Sequence, residues 1–590
     1  MSFLPSTNKK WSIVVLFFLL LFGLILGLGT VLYLSFFYYE LADEGFYHYL
    51  LIQGPSTVFL SPFYLIFHYV GSFFDHQLLG YRFLKIGLSF FATWVLARMI
   101  WRFLFEGQAY SKMVQLIFEM LVVLCVFSSF SKHTTLSYNV VSYAGAALWA
   151  AAFFYYLKDH SVHYVRTGLA LSLAMALAFF GRPPFGGVWF VVSIPLLFLG
   201  AYWGRFSSLK LGLVYLSAGI FWAGMSLWGF FPVVTQMAEV ARNMVATSHT
   251  DSSFGLIGGV GSWIVSVMLF ILPAWFFIFR KASVVKLRWF VGLVMSYSFL
   301  VLGVNLFKMD DYQVRHFLMI FLSAVGWGYW FFLLQREGWT DFVKDRWLVF
   351  LTCSFLGMLS SLGTNVVLLI HVSEYAFPLM AIPCLVFVFD VSAGYTRNKM
   401  VSFGTLGVLG IGLIFMFLQG GILSAYRNQG FSEQLVYSRY SSVLSGVRMS
   451  SHSAQNIDAI MLQMREAGFD QKQDRLVVYG DGPGFVAATG ARSLGSAWIG
   501  LESDHQGWTA AALNYMVLDL KNEPVRSVYF VVLSSDMDPD FRKGLATFLE
   551  KDAGFLEKNI GVSGQYCVIL ESFRPYRVKW EGPYRMIRRD

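Results

Sequence analysis

The sequence predicts a polytopic α-helical membrane protein that ends in a folded α/β domain, and three observations predict it. Of 590 residues, 57% are hydrophobic and 13% charged, with a mean hydropathy of +0.59, whereas soluble domains carry about 25% charged residues. Apolar runs long enough to cross about 30 Å of hydrocarbon recur through residues 1–423. In residues 424–590 charged side chains become frequent and the apolar runs shrink to strand length.

The first apolar run, 12–37, follows Lys9 and Lys10. It exceeds the core of a signal peptide and lacks a small-x-small cleavage site, so it reads as a retained span. Further runs lie near 83–104, 114–130, 138–157, 166–181, 185–203, 211–231, 262–279, 289–306, 316–334, 347–370, 375–391 and 401–423. The total is about thirteen spans. With the N-terminus in the cytoplasm, the inward connections hold most of the Lys and Arg, including Arg98, Arg102, Lys112, Arg280, Lys281, Lys344 and Arg346. The positive-inside rule favours that orientation. An odd number of spans then makes residues 424–590 extracytoplasmic, as expected for a bacterial inner or plasma membrane protein.

Two outward segments, 38–80 and 232–261, exceed simple turns. In the first, Asp43–Gln53 is helical in character, with Phe46, Tyr47, Tyr49, Leu50 and Leu51 available to face lipid as in an interfacial helix. In the tail, Leu476–Tyr479, Val528–Leu533 and Tyr566–Leu570 read as buried strands between helical patterns near 456–466, 509–520 and 540–551. Gly480–Gly484 follows a strand, but its spacing fits neither the dinucleotide fingerprint nor the P-loop and reads as a strand-to-helix turn. No internal repeat is evident, which weighs against a transporter built from two related halves.

The formal charge of +9 comes from small groups between apolar runs, without a recognition stripe, so no nucleic-acid partner is expected. Three of the four cysteines, Cys125, Cys353 and Cys384, lie in apolar segments, leaving no disulfide framework for the tail.

Chemistry concentrates just after the first span, in Glu40-Leu-Ala-Asp-Glu-Gly-Phe-Tyr-His48, continuing to Ser61-Pro-Phe-Tyr64. Acidic residues beside a hydrocarbon boundary must be solvated, paired or used. One reading makes Asp43 a helix cap and Glu44 a first-turn acid favoured by the helix dipole. Glu44 and His48, four residues apart, share a helix side and are candidate metal ligands; a surface histidine is the plainer reading. Lys308–His316 holds Asp310, Asp311, Arg315 and His316, read chiefly as a solvated charge cluster.

The acidic pair, the aromatic helix, the Pro-x-Tyr element ending at Tyr64 and Gly80-Tyr-Arg82 resemble, in that order, the glycosyltransferase C superfamily. The likeness is to its protein O-mannosyltransferase and lipid A aminoarabinose transferase branch. Leu476–Gly484 and Ala488–Arg492 are similar to tails of bacterial members. The resemblance implies an inverting transferase that moves a sugar from an undecaprenyl or dolichyl phosphate to a lipid, glycan or protein acceptor. It implies Asp43 as base and Glu44 as an orienting group or ligand to a magnesium or manganese ion. Arg82 is the first candidate for the donor phosphate, followed by Lys85, Arg182 and Arg315, and substrate contacts are expected from Tyr47, His48, Tyr64, His133, Tyr138, Asn139 and Tyr375. Three positions depart from the pattern: Ser61 replaces the first of a double Pro, Asn139 stands where another acid is usual, and Glu374 stands where a base precedes Tyr-x-x-Pro. The rival expectations are a lipid-linked sugar flippase and an oligosaccharide ligase or polymerase using a diphosphate-linked donor.

Overall fold

The computed structural model describes residues 7–39, 43–53, 63–108, 110–130, 135–158, 164–202, 211–212, 214–217, 219, 311–360, 368–392, 399–418, 433–466, 468–479, 483–495, 497, 528–532, 567–571, 577–581 and 584–588. The outward segment 232–261, the spans at 262–279 and 289–306, the tail helices at 509–520 and 540–551, and His133 lie outside the described residues.

Among the described residues, eight α-helices come first: α1 (Thr7–Leu34), α2 (Asp43–Gln53), α3 (Phe63–Gly71), α4 (Leu78–Phe105), α5 (Lys112–Leu124), α6 (Tyr138–Lys158), α7 (Tyr164–Gly181) and α8 (Pro183–Tyr202). Five more follow: α9 (Asp311–Glu337), α10 (Asp341–Leu359), α11 (Leu368–Tyr375), α12 (Phe377–Ser392) and α13 (Lys399–Leu418). Among the described residues four stretches, Ile13–Leu34, Leu78–Phe105, Lys112–Phe130 and Tyr138–Lys158, are long and apolar enough to cross a membrane. On α1, Phe18, Leu19, Phe22, Ile25 and Leu26 are all exposed; a helix apolar all round that meets so little protein is covered by lipid. The chain is a multi-pass membrane protein.

Small residues set how closely the spans approach. A Cβ on Gly145 of α6 would lie 2.4 Å from the Ala178 backbone nitrogen of α7, and one on Gly181 would lie 2.6 Å from the Ser142 backbone nitrogen. The α6–α7 contact is therefore backbone against backbone, the packing that apolar solvent rewards. Elsewhere charge does the joining. Arg346 of α10 donates from Nε and Nη2 to Asp390 of α12 at 2.6 and 2.5 Å, and Tyr329 of α9 donates to the same carboxylate at 2.6 Å. Arg346, expected in an inward connection, is thus buried within the helices, because its carboxylate partner neutralises it there.

The tail begins with a hairpin of β1 (Val436–Tyr437) and β2 (Arg448–Met449), followed by α14 (Ser451–Glu466), β3 (Arg475–Tyr479) and α15 (Pro483–Thr489). Four further strands follow: β4 (Val528–Val532), β5 (Cys567–Glu571), β6 (Arg577–Glu581) and β7 (Tyr584–Arg588). The sheet order is β3-β4-β5-β7-β6. The first three joins are parallel and the last is antiparallel. The expected strands appear within a residue of their ends. The β6–β7 pair was not expected, since alternating charged residues around Gly582-Pro583 hide a hairpin from a search for apolar runs.

One expectation is overturned. Helix α2 does not lie on lipid: Phe46, Tyr47, Tyr49, Leu50 and Leu51 are all buried. They join Tyr39, Phe63, Tyr64, Leu78 and Tyr81 in one apolar cluster with tail residues that include Leu444, Val447, Met449, Ile457 and Phe485. Helix α2 is apolar on most sides because it is sandwiched between the bundle and the tail.

Candidate functional site

The chain turns sharply between α1 and α2. Tyr38 has φ +63°, a left-handed conformation uncommon for a bulky residue, and such strain persists only where neighbours over-determine it. Arg82, in the second turn of α4, supplies that constraint. Its Nη1 donates to the carbonyls of Ser35 and Phe37 at 2.6 and 2.9 Å, and its Nη2 to that of Tyr38 at 2.6 Å.

The same guanidinium holds Glu44 in the first turn of α2. Nε reaches Oε1 at 3.1 Å and Nη2 reaches Oε2 at 2.9 Å, a bidentate pair with both side chains buried. The Thr135 hydroxyl donates to Oε1 at 2.5 Å. Arg82 therefore locks α1, α2 and α4 together, and all its N–H donors are engaged. Arg82, the first candidate for a donor phosphate, has its fork closed on Glu44 in this structure. Asp43 is the first residue of α2, one position from this anchor.

The predicted Glu44–His48 metal pair does not form either. His48 is fully buried, and its Nε2 donates to the His76 carbonyl at 3.0 Å. Desolvation, only partly offset by that bond and by Glu44, pushes its pKa down to about 4, so the ring is neutral. Its Nδ1 then carries a lone pair that meets no donor among the described residues. The Glu44 oxygens are already taken by Arg82 and Thr135, and no three His, Cys, Asp or Glu gather as a metal site among the described residues.

Three further buried cations were candidates for the donor phosphate. Lys85, one turn beyond Arg82, is buried, donates to the Ser129 carbonyl at 3.0 Å and sits 4.8 Å from the centre of the Phe130 ring. It lies within electrostatic reach of Glu44, Arg82 and Glu374. Arg182 caps the α7–α8 junction, donating to the Ser360 carbonyl at 2.6 Å and to the Asn139 side-chain oxygen. Its guanidinium lies 5.0 Å from the centre of the Tyr138 ring, which meets Tyr47 edge-on at 5.5 Å. Three expected contact residues, Tyr47, Tyr138 and Asn139, are thus assembled around Arg182. Asn139, standing where an acid is usual in the resembling proteins, accepts a hydrogen bond from this buried cation.

Tyr64 and Tyr375 share the apolar cluster that holds Tyr47. Arg315 is buried in the first turns of α9, which packs on α11, the helix carrying Glu374 and Tyr375. Thr135 and Glu374 were not among the expected site residues. A hydroxyl in the short polar run after the 3-10 turn Cys125–Phe130 was the one available signal for Thr135.

The tail closes over α2. Tyr39 donates to the Gly484 carbonyl at 2.9 Å, Gln53 to the Ala491 carbonyl at 2.7 Å, and the Ser493 amide donates to the Tyr49 hydroxyl at 3.0 Å. Helix α15 packs directly on α2.

No protein-family model and no curated protein matches the chain. Among solved structures, the oligosaccharyltransferase of Archaeoglobus fulgidus complexed with zinc and sulfate is 13% identical, over 91% of this chain and 70% of that chain, with TM-score 0.43. The same archaeal enzyme with an inhibitory peptide and a dolichol-phosphate is 14% identical, over 94% and 73%, with TM-score 0.45. These are distant likenesses, and the site is read from its own residues.

Proposed function

We propose that the chain transfers a sugar from a polyprenyl phosphate, undecaprenyl or dolichyl, to an extracytoplasmic lipid, glycan or protein acceptor, with inversion at the anomeric carbon. The observation that carries the proposal is the Glu44–Arg82 pair. It fixes the first turn of α2, whose first residue is Asp43, against α1 and α4.

The chemistry needs little more. A phosphate monoester is a good leaving group and needs cationic stabilisation, while the acceptor needs a base. The acceptor oxygen or nitrogen forms a bond to C1 of the sugar and its proton passes to Asp43. The C1–O bond to phosphate breaks with its electron pair on the phosphate, a charge the proposal assigns to Lys85, Arg182 and Arg315. Arg82 acts indirectly, by holding Glu44 and the left-handed corner at Tyr38. The isoprenoid chain would be anchored by apolar burial at about 0.8 kcal/mol per methylene, leaving the polar groups only to orient the head.

The test is incubation of the purified protein in nanodiscs with radiolabelled polyprenyl-phosphate sugar and candidate acceptors. Transfer without a gradient, abolished in Asp43→Asn, is expected. Translocation of intact donor without bond breakage would instead support a flippase.

A further inference from the structure

The hairpin that opens the tail turns one face to the cluster shared with α2 and leaves the other exposed. Alternation along β1 and β2 puts Val436 and Met449 inward, against the cluster shared with α2, and leaves Leu435 and Tyr437 on the opposite face. Leu435 is 65% exposed, Tyr437 47% and Tyr440 45%. Tyr437 pairs with Arg448 across the hairpin, and Arg448 Nε donates to the Tyr437 hydroxyl at 2.7 Å. The bend 438–441 is held by Asp458, which accepts from the Ser438 hydroxyl at 2.6 Å and the Arg439 amide at 2.9 Å.

This hairpin is tied to the place where α1 ends. The Arg448 amide donates to the Phe36 carbonyl at 2.7 Å, and Phe37 forms an isolated parallel β-bridge with Arg448. The Arg448 guanidinium lies 5.5 Å from the centre of the Phe37 ring and 5.3 Å from that of Tyr437. Phe37 in turn packs at 4.8 Å on Tyr33, an exposed residue of the lipid-covered span. A column of Tyr33, Phe37, Arg448 and Tyr437 therefore runs without interruption from the hydrocarbon-facing side of α1 onto the tail. The apolar helix α13 also ends here, since Phe417 packs against the cluster of Leu34, Phe37 and Tyr38.

We propose that the β1–β2 hairpin is a headgroup seat: Leu435, Tyr437 and Tyr440 enter the interfacial zone of the leaflet at which α1 ends, and Arg448 binds a phospholipid phosphate. Aromatic rings prefer that depth, and an arginine whose stem and Nε are fixed by stacking presents its outer N–H groups as a fork suited to phosphate oxygens. Arg439 in the same bend adds to the positive charge facing anionic lipid. The seat fixes the height of the tail, and hence of α2 beneath it, relative to the bilayer. It does not depend on the proposed glycosyl transfer.

The test is spin-label depth measurement in nanodiscs of phosphatidylethanolamine and phosphatidylglycerol, on the full chain carrying Cys567→Ser. Labels at Leu435→Cys and Tyr440→Cys are compared with Ile25→Cys on the lipid-facing side of α1 and Lys472→Cys on the exposed turn before β3. The oxygen-to-nickel-chelate accessibility ratio at 435 and 440 is expected between those of 25 and 472. Ratios equal to that of 472 overturn the proposal. Adding Arg448→Gln should shift the 435 label toward the aqueous value while Arg448→Lys keeps it; no shift with glutamine overturns the phosphate contact.

Discussion

Glu44 and Asp43 are adjacent in sequence, and the proposed function gives them separate roles. Glu44 is consumed by structure: removing its carboxylate leaves Arg82 as an unpaired buried cation, and Glu44→Ala should cost about 3–5 kcal/mol, read as a lowered Tm in detergent. Combining Glu44→Gln with Arg82→Met should recover much of that loss, because the charge and its partner go together. Asp43→Asn should leave the Tm unchanged and lower kcat by about 10²–10⁴-fold, the usual worth of a general base. His48 carries a pH signature. Its folded pKa, about 4, lies below the ordinary 6.5, so below pH 6.5 the unfolded chain takes a proton that the folded chain refuses. Stability should be full above pH 6.5 and fall as pH drops toward 4, by about 3 kcal/mol at most. Melting curves across that range should be flatter in His48→Gln. At this scale the sequence exposed which residue types stood beside the first span, while the engagement of Glu44 came from a partner, Arg82, in another helix.

Helix α2 shows what periodicity misses. Its aromatic and aliphatic residues were expected to meet lipid, and they meet the bundle on one side and the tail on the other. An apolar surface does not say which apolar medium covers it. Gln53 and Tyr49 are the polar ends of that contact. Gln53→Ala with Tyr49→Phe should remove about 1 kcal/mol per hydrogen bond and raise amide hydrogen exchange in residues 43–53, with exchange in α6 and α7 unchanged. Between α6 and α7 the limiting feature is Gly145. Gly145→Val would place a side chain inside van der Waals contact of the α7 backbone, and should lower the Tm by more than substitution at Gly23, whose added Cβ meets nothing within 4 Å.

Over the whole molecule, the bundle and the tail share one apolar cluster, so they are not independent units joined by a linker. Ending the chain before residue 433 should uncover Tyr39, Tyr49, Leu50 and Tyr64, each worth roughly 1.5–3 kcal/mol when buried. The truncated protein is expected to aggregate in size-exclusion chromatography where the full chain is monodisperse. The sequence by itself determined the membrane class, most of the described apolar helices and the three apolar strands of the tail, because hydrocarbon thickness and strand length impose local patterns that composition reveals; the run 347–370, expected as one span, instead gives a helix that ends at Leu359 and another that starts at Leu368. Only the tertiary structure decided that Arg82 closes on Glu44, that Arg346 pairs with Asp390, that Arg182 gathers Tyr138 and Asn139, and that the tail rests on α2. Those are contacts between residues tens to hundreds of positions apart, and an ionisable group beside a membrane reads the same whether it is solvated, paired or poised for chemistry until its partner is seen.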